Sequence, residues 1–488
     1  MLDISFAGAA FAGLLSFFTP CILPMVPFYL CYMAGISMSE LRDDAGITPG
    51  AQRRLILSSV FFAAGVTTIF VLLGMGATAV GRAFADWMDV LKYGAAALLL
   101  AKHTARSKDR VLVLTPDTDL TGKLRVPATR GRVHYRVVAE PLDGGPASAP
   151  LTGSFRAVPG RGEPVRIQWS GDVVGQGWGI DRATGGMRIF SAMADRDPDL
   201  FLHSGDTVYA DGPLTETVTL PDGRVWRNEM TPEKAKVAET LTEFRGQFAY
   251  NLRDDNLRRF AASVGQIVQW DDHEVTNNWY PGEILTGEVG ERYTEKRVDV
   301  LAARGFRAFH EWQPVDPRTA VDGRVYRRVP FGPHVEVFVL DMRTYRSANS
   351  ANTGRGERIL GEAQARWLVD ALASSRATWK IVASDMPIGV LVPDGDTAWE
   401  AVANGVPGPP SGRESEIAGV LAGIRRRRVR NVVWVTADVH YTAAHHYAPE
   451  RAAFTDFDPF WEFVSGPLHA GAFGPNELDP TFGAKKAA

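Results

Sequence analysis

The sequence predicts an α/β core that follows a truncated all-β region and an N-terminal α-helical membrane segment. Three observations support this prediction. The first hundred of the 488 residues are strongly apolar, short β-type runs follow them, and from Val165 onward β-rich runs alternate with helix-like segments. Such alternation favours an α/β arrangement, and the length of the chain favours two or three domains.

The composition argues against two classes of protein. The net charge of -3 and the isoelectric point near 6.4 argue against nucleic-acid binding, because such proteins are usually basic. The two cysteines, Cys21 and Cys31, both lie in the apolar region. We therefore expect neither a disulfide framework nor a cysteine-based zinc site in the remainder of the chain.

Two apolar runs at the N-terminus are long enough to cross a bilayer. They extend over residues 4–35 and 55–81, and a span needs about 20 residues. A third run, residues 90–101, has roughly half that length and contains Lys92. The basic residues between the first two runs place that loop in the cytoplasm. The rest of the chain is then extracytoplasmic with two spans and cytoplasmic with three.

The stretch SFFTPCILPMVPFYLCYMAG, residues 16–35, resembles the first membrane helix of the cytochrome c biogenesis and DsbD transmembrane family. That family carries electrons across the membrane through two cysteines, and Cys21 matches the first of them. The second belongs to a later helix, and Cys31 faces elsewhere on the same element. We therefore expect a partial membrane domain over residues 1–102, in the bacterial inner membrane, in which Cys21 is a buried apolar residue and not a redox centre.

Short β-type runs separated by Pro, Gly and Asp predict a truncated Ig-like sandwich over residues 103–160. The runs are VLVL, KLRV, HYRVV and GSFRAV, and they are too few to close a complete sandwich. In the following region, helices are predicted over residues 233–248, 292–310 and 361–374.

Five apolar strands of the predicted core each end in acidic or histidine side chains. The strands are residues 165–169, 199–202, 266–269, 379–383 and 432–435. They lead to Asp172, to Gly205-Asp206 and Tyr209, to Trp270-Asp271-Asp272-His273-Glu274, to Asp385, and to Asp438 and His440. Carboxylates held close together are costly unless a cation gathers them, and ligands of α/β folds bind beyond the carboxyl ends of strands. The pattern predicts a metal centre in which Asp206 bridges two ions.

This ordered set of motifs resembles the alkaline phosphatase D, or PhoD-like, family of metallophosphoesterases. The resemblance covers about residues 110–483 and is based on Gly-Asp, Gly-Asp-x-x-Tyr, Trp-Asp-Asp-His-Glu, Ser-Asp-Met-Pro and Ala-Asp-Val-His, in that order. It implies a metallophosphoesterase core, a β-sandwich flanked by helices, over residues 161–483, before a tail at residues 484–488. It also implies that the chain is an enzyme that hydrolyses phosphoric esters.

The donor chemistry and the resemblance imply two metal sites. The first set is Asp172, Asp206, Tyr209 and His440; a tyrosine phenolate suits a trivalent ion, and the family implies iron(III). The second set is Asp206, Asp272, Asp385 and Asp438; its oxygen ligands suit magnesium, manganese or the calcium that the family implies. Many family members place a cysteine on the first strand, whereas this chain has Ser170-Gly171-Asp172, so Asp172 would supply that ligand.

The resemblance also implies the reaction. Two metals about 3.5–4 Å apart would hold a bridging hydroxide that attacks phosphorus in line, without a phosphoenzyme. His273 would stabilise the developing charge or protonate the leaving oxygen, and Glu274 would orient His273 or a ligand. Asn277 and Asn278 would donate to the phosphate or form a turn.

The expected partners are a phosphate ester substrate and the membrane. Phosphomonoester and phosphodiester cleavage, including a phospholipase D-like activity, are both open. A membrane thiol-disulfide electron carrier and an inactive fusion product are the two alternative interpretations of the chain.

Overall fold

The computed structural model describes residues 112–487 except 126–129, 142–144, 221, 317 and 320–322. The predicted membrane runs, Cys21 and Cys31 lie outside the described residues, so the predictions made for them stay untested by the structure. Within the described ranges, no helix combines the length and apolar character that a bilayer span requires. Strands and helices are numbered below in chain order.

Two sheets form the centre of the fold. In the smaller sheet, all neighbouring strands are parallel. Its strands in spatial order are β16 (Pro467–His469), β3 (Ile167–Val173), β4 (Leu200–Ser204) and β7 (Gly265–Gln269). The larger sheet has a parallel centre and antiparallel edges. Its strands in spatial order are β17 (Ala484–Lys486), β14 (Ala443–Tyr447), β15 (Phe460–Val464), β13 (Val432–Thr436), β10 (Trp379–Ala383), β9 (Val335–Val339) and β8 (Arg327–Phe331).

The two sheets pack face to face because alternate side chains of a strand point to opposite faces. Leu200 and Leu202 share one buried cluster with Val337 and Val339 of the facing sheet. Phe201, between the two leucines, belongs instead to a cluster on the outer face. The predicted β-sandwich flanked by helices is therefore the arrangement observed.

Helices cover the outer faces of both sheets. They are α1 (Arg188–Ala194), α2 (Leu241–Asn251), α3 (Asp255–Ala261), α4 (Gly287–Glu291), α5 (Val298–Trp312), α6 (Glu362–Ser374) and α7 (Arg413–Arg426). Helices α1 and α3 pack on the smaller sheet, α6 and α7 pack on the larger one, and α2 and α5 pack together beside β7. Two predicted helices begin later than expected. In one of them, Thr240 and Glu243 form a capping box that starts α2 at Leu241.

The predicted Ig-like sandwich is not confirmed. Two of its four β-type runs form an antiparallel pair, β1 (Arg132–Val137) and β2 (Leu151–Arg156). The described residues of the other two runs are not strands. Two further hairpins are small, and they consist of β5 (Thr217–Thr219) with β6 (Val225–Arg227) and of β11 (Pro393–Asp394) with β12 (Ala398–Trp399).

Candidate metal centre

The carboxyl ends of β3, β4, β7, β10 and β13 lie at one end of the sandwich. Each observed strand overlaps the strand predicted at that place, although β3 extends through Asp172 to Val173. Gly171 allows the end of β3 to lie close to the residues that follow β4 and β13. A Cβ at this position would lie 3.0 Å from the Gly205 carbonyl oxygen and 3.1 Å from Ala437 Cβ. The strand ends of both sheets therefore supply the same site.

Four of the predicted ligand residues have a left-handed backbone. Their φ angles are 66° at Asp172, 50° at Asp206, 64° at Asp438 and 58° at His440. Residues other than glycine rarely adopt this region, and such strain concentrates at functional sites. The chain thus turns sharply where β3, β4 and β13 deliver their ligands.

The first predicted ligand set converges on one point. Asp172 Oδ1 lies 2.9 Å from His440 Nε2 and 3.2 Å from the Tyr209 hydroxyl, which is itself 3.0 Å from His440 Nε2. One oxygen each of Asp172 and Asp206 lies within 4.8 Å of a His440 ring nitrogen. His440 Nδ1 donates to the Gly471 carbonyl, which fixes the ring. Ser170 donates to the Gly466 carbonyl instead of joining this group.

The second predicted set is only partly brought together. Donor atoms of Asp206, Asp272 and His273 lie within 4.8 Å of one another, as do those of Asp271, Asp272 and Asp438. Asp385 belongs to neither group; it accepts a hydrogen bond from Gln269, at 3.3 Å.

The guanidinium of Arg343, which sequence reasoning missed, lies inside the acidic cluster. Arg343 follows β9 and is fully buried. Asp271 Oδ1 lies 2.6 Å from its Nε and 2.5 Å from its Nη2. Three predicted ligands, Asp272, Asp385 and Asp438, lie 3.6–4.0 Å away, and Nη1 donates to Glu400.

Burial makes Asp206 and Tyr209 difficult to ionise without a cation. It raises the pKa of Asp206 well above its usual value, and the neighbouring Asp272 and Asp271 raise it further. Burial and Asp206 likewise raise the pKa of Tyr209 well above its usual value. Asp172 Oδ2 and Asp272 Oδ1 are buried and have no hydrogen-bond donor among the described residues. These oxygens and the mixed oxygen and nitrogen donors fit a metal ion.

Asp211, a second residue that sequence reasoning missed, orients His273. His273 Nδ1 donates to Asp211 Oδ1 over 2.7 Å, and the ring stacks on Tyr209 with centroids 4.0 Å apart. Burial alone would lower the pKa of His273, but the Asp211 and Asp272 carboxylates raise it to about 10. Asp211 stands in the stretch LHSGDTVYAD, five residues after Asp206, so its position was readable.

In the part of the chain that the structure describes, Glu274 forms no hydrogen bond with His273. Its Oε1 accepts from the Thr207 amide and hydroxyl, both at 2.6 Å, and its Oε2 accepts from the Asp271 amide at 2.7 Å. Glu274 therefore joins the segments that carry Asp206 and Asp272. This arrangement agrees with the alternative role, in which Glu274 positions a ligand.

The two predicted substrate-binding asparagines differ in their surroundings. Asn278 donates from its backbone nitrogen to Asp272 Oδ2 over 2.7 Å and from its side chain to Asp394 Oδ1 over 2.8 Å. Asn277 donates from its backbone to Asp211 Oδ2, and the residue is exposed. The Asn278 side chain is thus committed to the β11–β12 hairpin.

Comparisons with known proteins match the two parts of the chain to different families. Residues 168–488 match the family described as PhoD-like phosphatase, and residues 4–104 match the cytochrome C biogenesis protein transmembrane domain. Alkaline phosphatase D of Bacillus subtilis is 28% identical over 315 residues, which are 60% of this chain and 50% of that protein. The chain therefore spans about half the length of this curated relative.

Two further matches agree with this division. The cytochrome c-type biogenesis protein CcdA of Halalkalibacterium halodurans is 39% identical over 85 residues, which are 17% of this chain and 33% of that protein. A solved structure described as "Structure of PhoD" has a TM-score of 0.52 and 24% identity, and it covers 69% of this chain and 62% of its own. The structural likeness supports the fold.

Proposed function

Because the chain belongs to the PhoD-like phosphatase family, we propose that it is a metal-dependent hydrolase of phosphoric esters. The observation that supports this most directly is the convergence of Asp172, Asp206, Tyr209 and His440 at the strand ends, with a buried oxygen of Asp172 left without a donor. These four residues would hold one metal ion, with iron(III) as the candidate. Asp206, Asp272 and Asp438 would hold a second, with calcium, magnesium or manganese as candidates.

The residues around the metals have separate tasks in this proposal. When bound, the two ions supply Lewis acidity and an activated water for in-line attack at phosphorus, so no phosphoenzyme is needed. Asp211 holds His273 Nδ1, which leaves Nε2 to protonate the leaving-group oxygen. Glu274 keeps the Asp206 and Asp272 segments in register. The exposed Asn277 donates to the phosphate.

The organisation of the chain is part of the same proposal. Residues 1–102 form a partial membrane domain, residues 103–160 an accessory β region and residues 161–483 the hydrolase. The match of residues 4–104 to a membrane domain family supports membrane association.

The test is hydrolysis of a chromogenic aryl phosphomonoester and of the matching phosphodiester by the full chain, purified in detergent. We expect activity that chelation abolishes and that Asp206→Asn lowers by about 100-fold or more. Asp222→Asn, in an exposed turn, is the matched control and should retain activity. The ratio of the two rates distinguishes a phosphatase from a phosphodiesterase. A folded, metal-loaded chain that hydrolyses neither ester would refute the proposal.

A further inference from the structure

We infer that Arg343 is a built-in cation of the metal centre, and that Asp385 pairs with Arg343 instead of binding a metal ion. The inference rests on the proposed metal sites but not on the proposed reaction. It concerns the second predicted ligand set, which the structure brings together only in part.

The first step is the position of the guanidinium. Five carboxylate side chains lie within 4.0 Å of the Arg343 side-chain nitrogens: Asp271, Asp272, Asp385, Asp438 and Glu400. Arg343 is 0% exposed, so it is out of contact with bulk solvent. A buried guanidinium needs such partners, because its planar fork of donors remains charged at any ordinary pH.

The second step is the surroundings of Asp385. Its Oδ1 accepts from Gln269, whereas its buried Oδ2 accepts no hydrogen bond among the described residues and lies 3.6 Å from Arg343 Nε. Its carboxyl also contacts Asp271, which has the shortest contacts to Arg343 among the predicted strand-end acids. Asp385 is absent from both groups that could hold a second ion. All three acids lie 3.6–4.0 Å from Arg343, but only Asp272 and Asp438 are close enough to each other to share a metal, so Arg343 is the cation left for Asp385.

The third step is the charge balance. Five carboxylates face Arg343, and Arg346 adds one more positive charge near Glu400, at 3.7 Å. A surplus of negative charge remains for a metal ion at Asp206, Asp272 and Asp438. Because the Arg343 guanidinium is part of the chain, it cannot dissociate as a metal ion can. It therefore continues to neutralise part of the negative charge of the cluster when metal is scarce.

The experiment measures bound manganese or calcium per full-length chain by elemental analysis after chelation and reloading, together with thermal unfolding with and without the ion. Asp385→Asn should bind as much metal as wild type, whereas Asp272→Asn should lose about one ion per chain. Arg343→Met should bind about one more divalent ion than wild type. Addition of the ion should also raise its unfolding temperature more than that of wild type. Arg327→Met is the matched control. Arg327 is also buried, but it donates to the Val325 and Val268 carbonyls and not to an acid of the cluster, so its replacement should leave the metal content unchanged.

Each outcome decides the inference. Loss of an ion from Asp385→Asn would overturn it, as would a folded Arg343→Met chain with unchanged metal content. If Arg343→Met does not fold, the comparison of Asp385→Asn with Asp272→Asn decides alone. A wild-type chain that binds no metal would instead refute the proposed function, so the two failures are distinguishable.

Discussion

Substitution of Gly205 by alanine tests whether close packing of the strand ends holds the site together. Gly205 has φ +92°, and a Cβ there would lie 2.4 Å from Asp271 Cβ and 3.1 Å from the Asp271 amide nitrogen. Neither atom can rotate away. The left-handed backbone costs alanine about 1–2 kcal/mol, and the overlap in a packed site adds about 1–3 kcal/mol. We therefore expect Gly205→Ala to lower the free energy of unfolding by about 2–5 kcal/mol.

A second glycine separates the two contributions. Gly223 has a similar φ of +85°, but a Cβ there would meet nothing within 4 Å. Gly223→Ala should therefore cost only the backbone part, about 1–2 kcal/mol. Urea unfolding followed by tryptophan fluorescence reports on this region, since Trp87 alone of the twelve tryptophans precedes residue 169. If the two variants lose the same stability, the overlap with Asp271 has no energetic effect and our reasoning is wrong.

Three more predictions concern the residues around the site and one histidine away from it. Asp211→Asn should lower kcat by about 100-fold with little change in KM, because His273 loses the carboxylate that orients it; steady-state kinetics on the aryl phosphomonoester measures this. Glu274→Gln should lower the free energy of unfolding by about 2 kcal/mol in urea, because the amide nitrogen that replaces one carboxylate oxygen cannot accept and leaves at least one of the three donors unpartnered. Burial, with Lys123 and Arg327, lowers the pKa of His310 to about 4, so its contribution to stability is complete above pH 6.5 and is lost as the pH falls towards 4. The free energy of unfolding of His310→Phe should therefore fall by on the order of 2 kcal/mol less than that of wild type between pH 6.5 and pH 4. Urea unfolding at several pH values across this range measures the difference.

These three predictions have distinct contrary outcomes. An Asp211→Asn enzyme that changes KM alone would show that Asp211 serves substrate binding. A Glu274→Gln chain as stable as wild type would mean that its hydrogen bonds do not join the two segments. Equal acid sensitivity of His310→Phe and wild type would assign the loss of stability to other groups.

The strand-end rule located most of the acidic residues of the site because it rests on geometry. Parallel strands deliver their following residues to one edge, so apolar runs that end in Asp or His identify the edge before any pairing is known. The same rule applied to β9, whose run ends in Leu340-Asp341-Met342-Arg343, would have located Arg343. Asp341 satisfies that rule, so the stretch was readable from the sequence although it was not predicted.

Other features depend on tertiary contacts that no local pattern contains. Glu400 reaches Arg343 from the residue after β12, in a hairpin that belongs to neither central sheet. The Ig-like sandwich was inferred from alternating composition, but alternation does not specify a pairing partner, and among the described residues of that region only β1 and β2 pair. The start of α2 was readable, because Thr240 and Glu243 have the spacing of a capping box.

The left-handed φ angles at Asp172, Asp206 and Asp438 affect how mutational scans of this site should be interpreted. Aspartate, asparagine and glycine adopt this region more readily than other residues. An alanine or glutamate at these positions therefore changes the backbone energy as well as the ligand, and a loss of activity has two causes that cannot be separated. Asparagine keeps the shape of the turn and removes the charge and one of the two ligand oxygens. At these three positions the informative substitution is Asp→Asn, and the usual alanine scan would overstate the importance of the carboxylate.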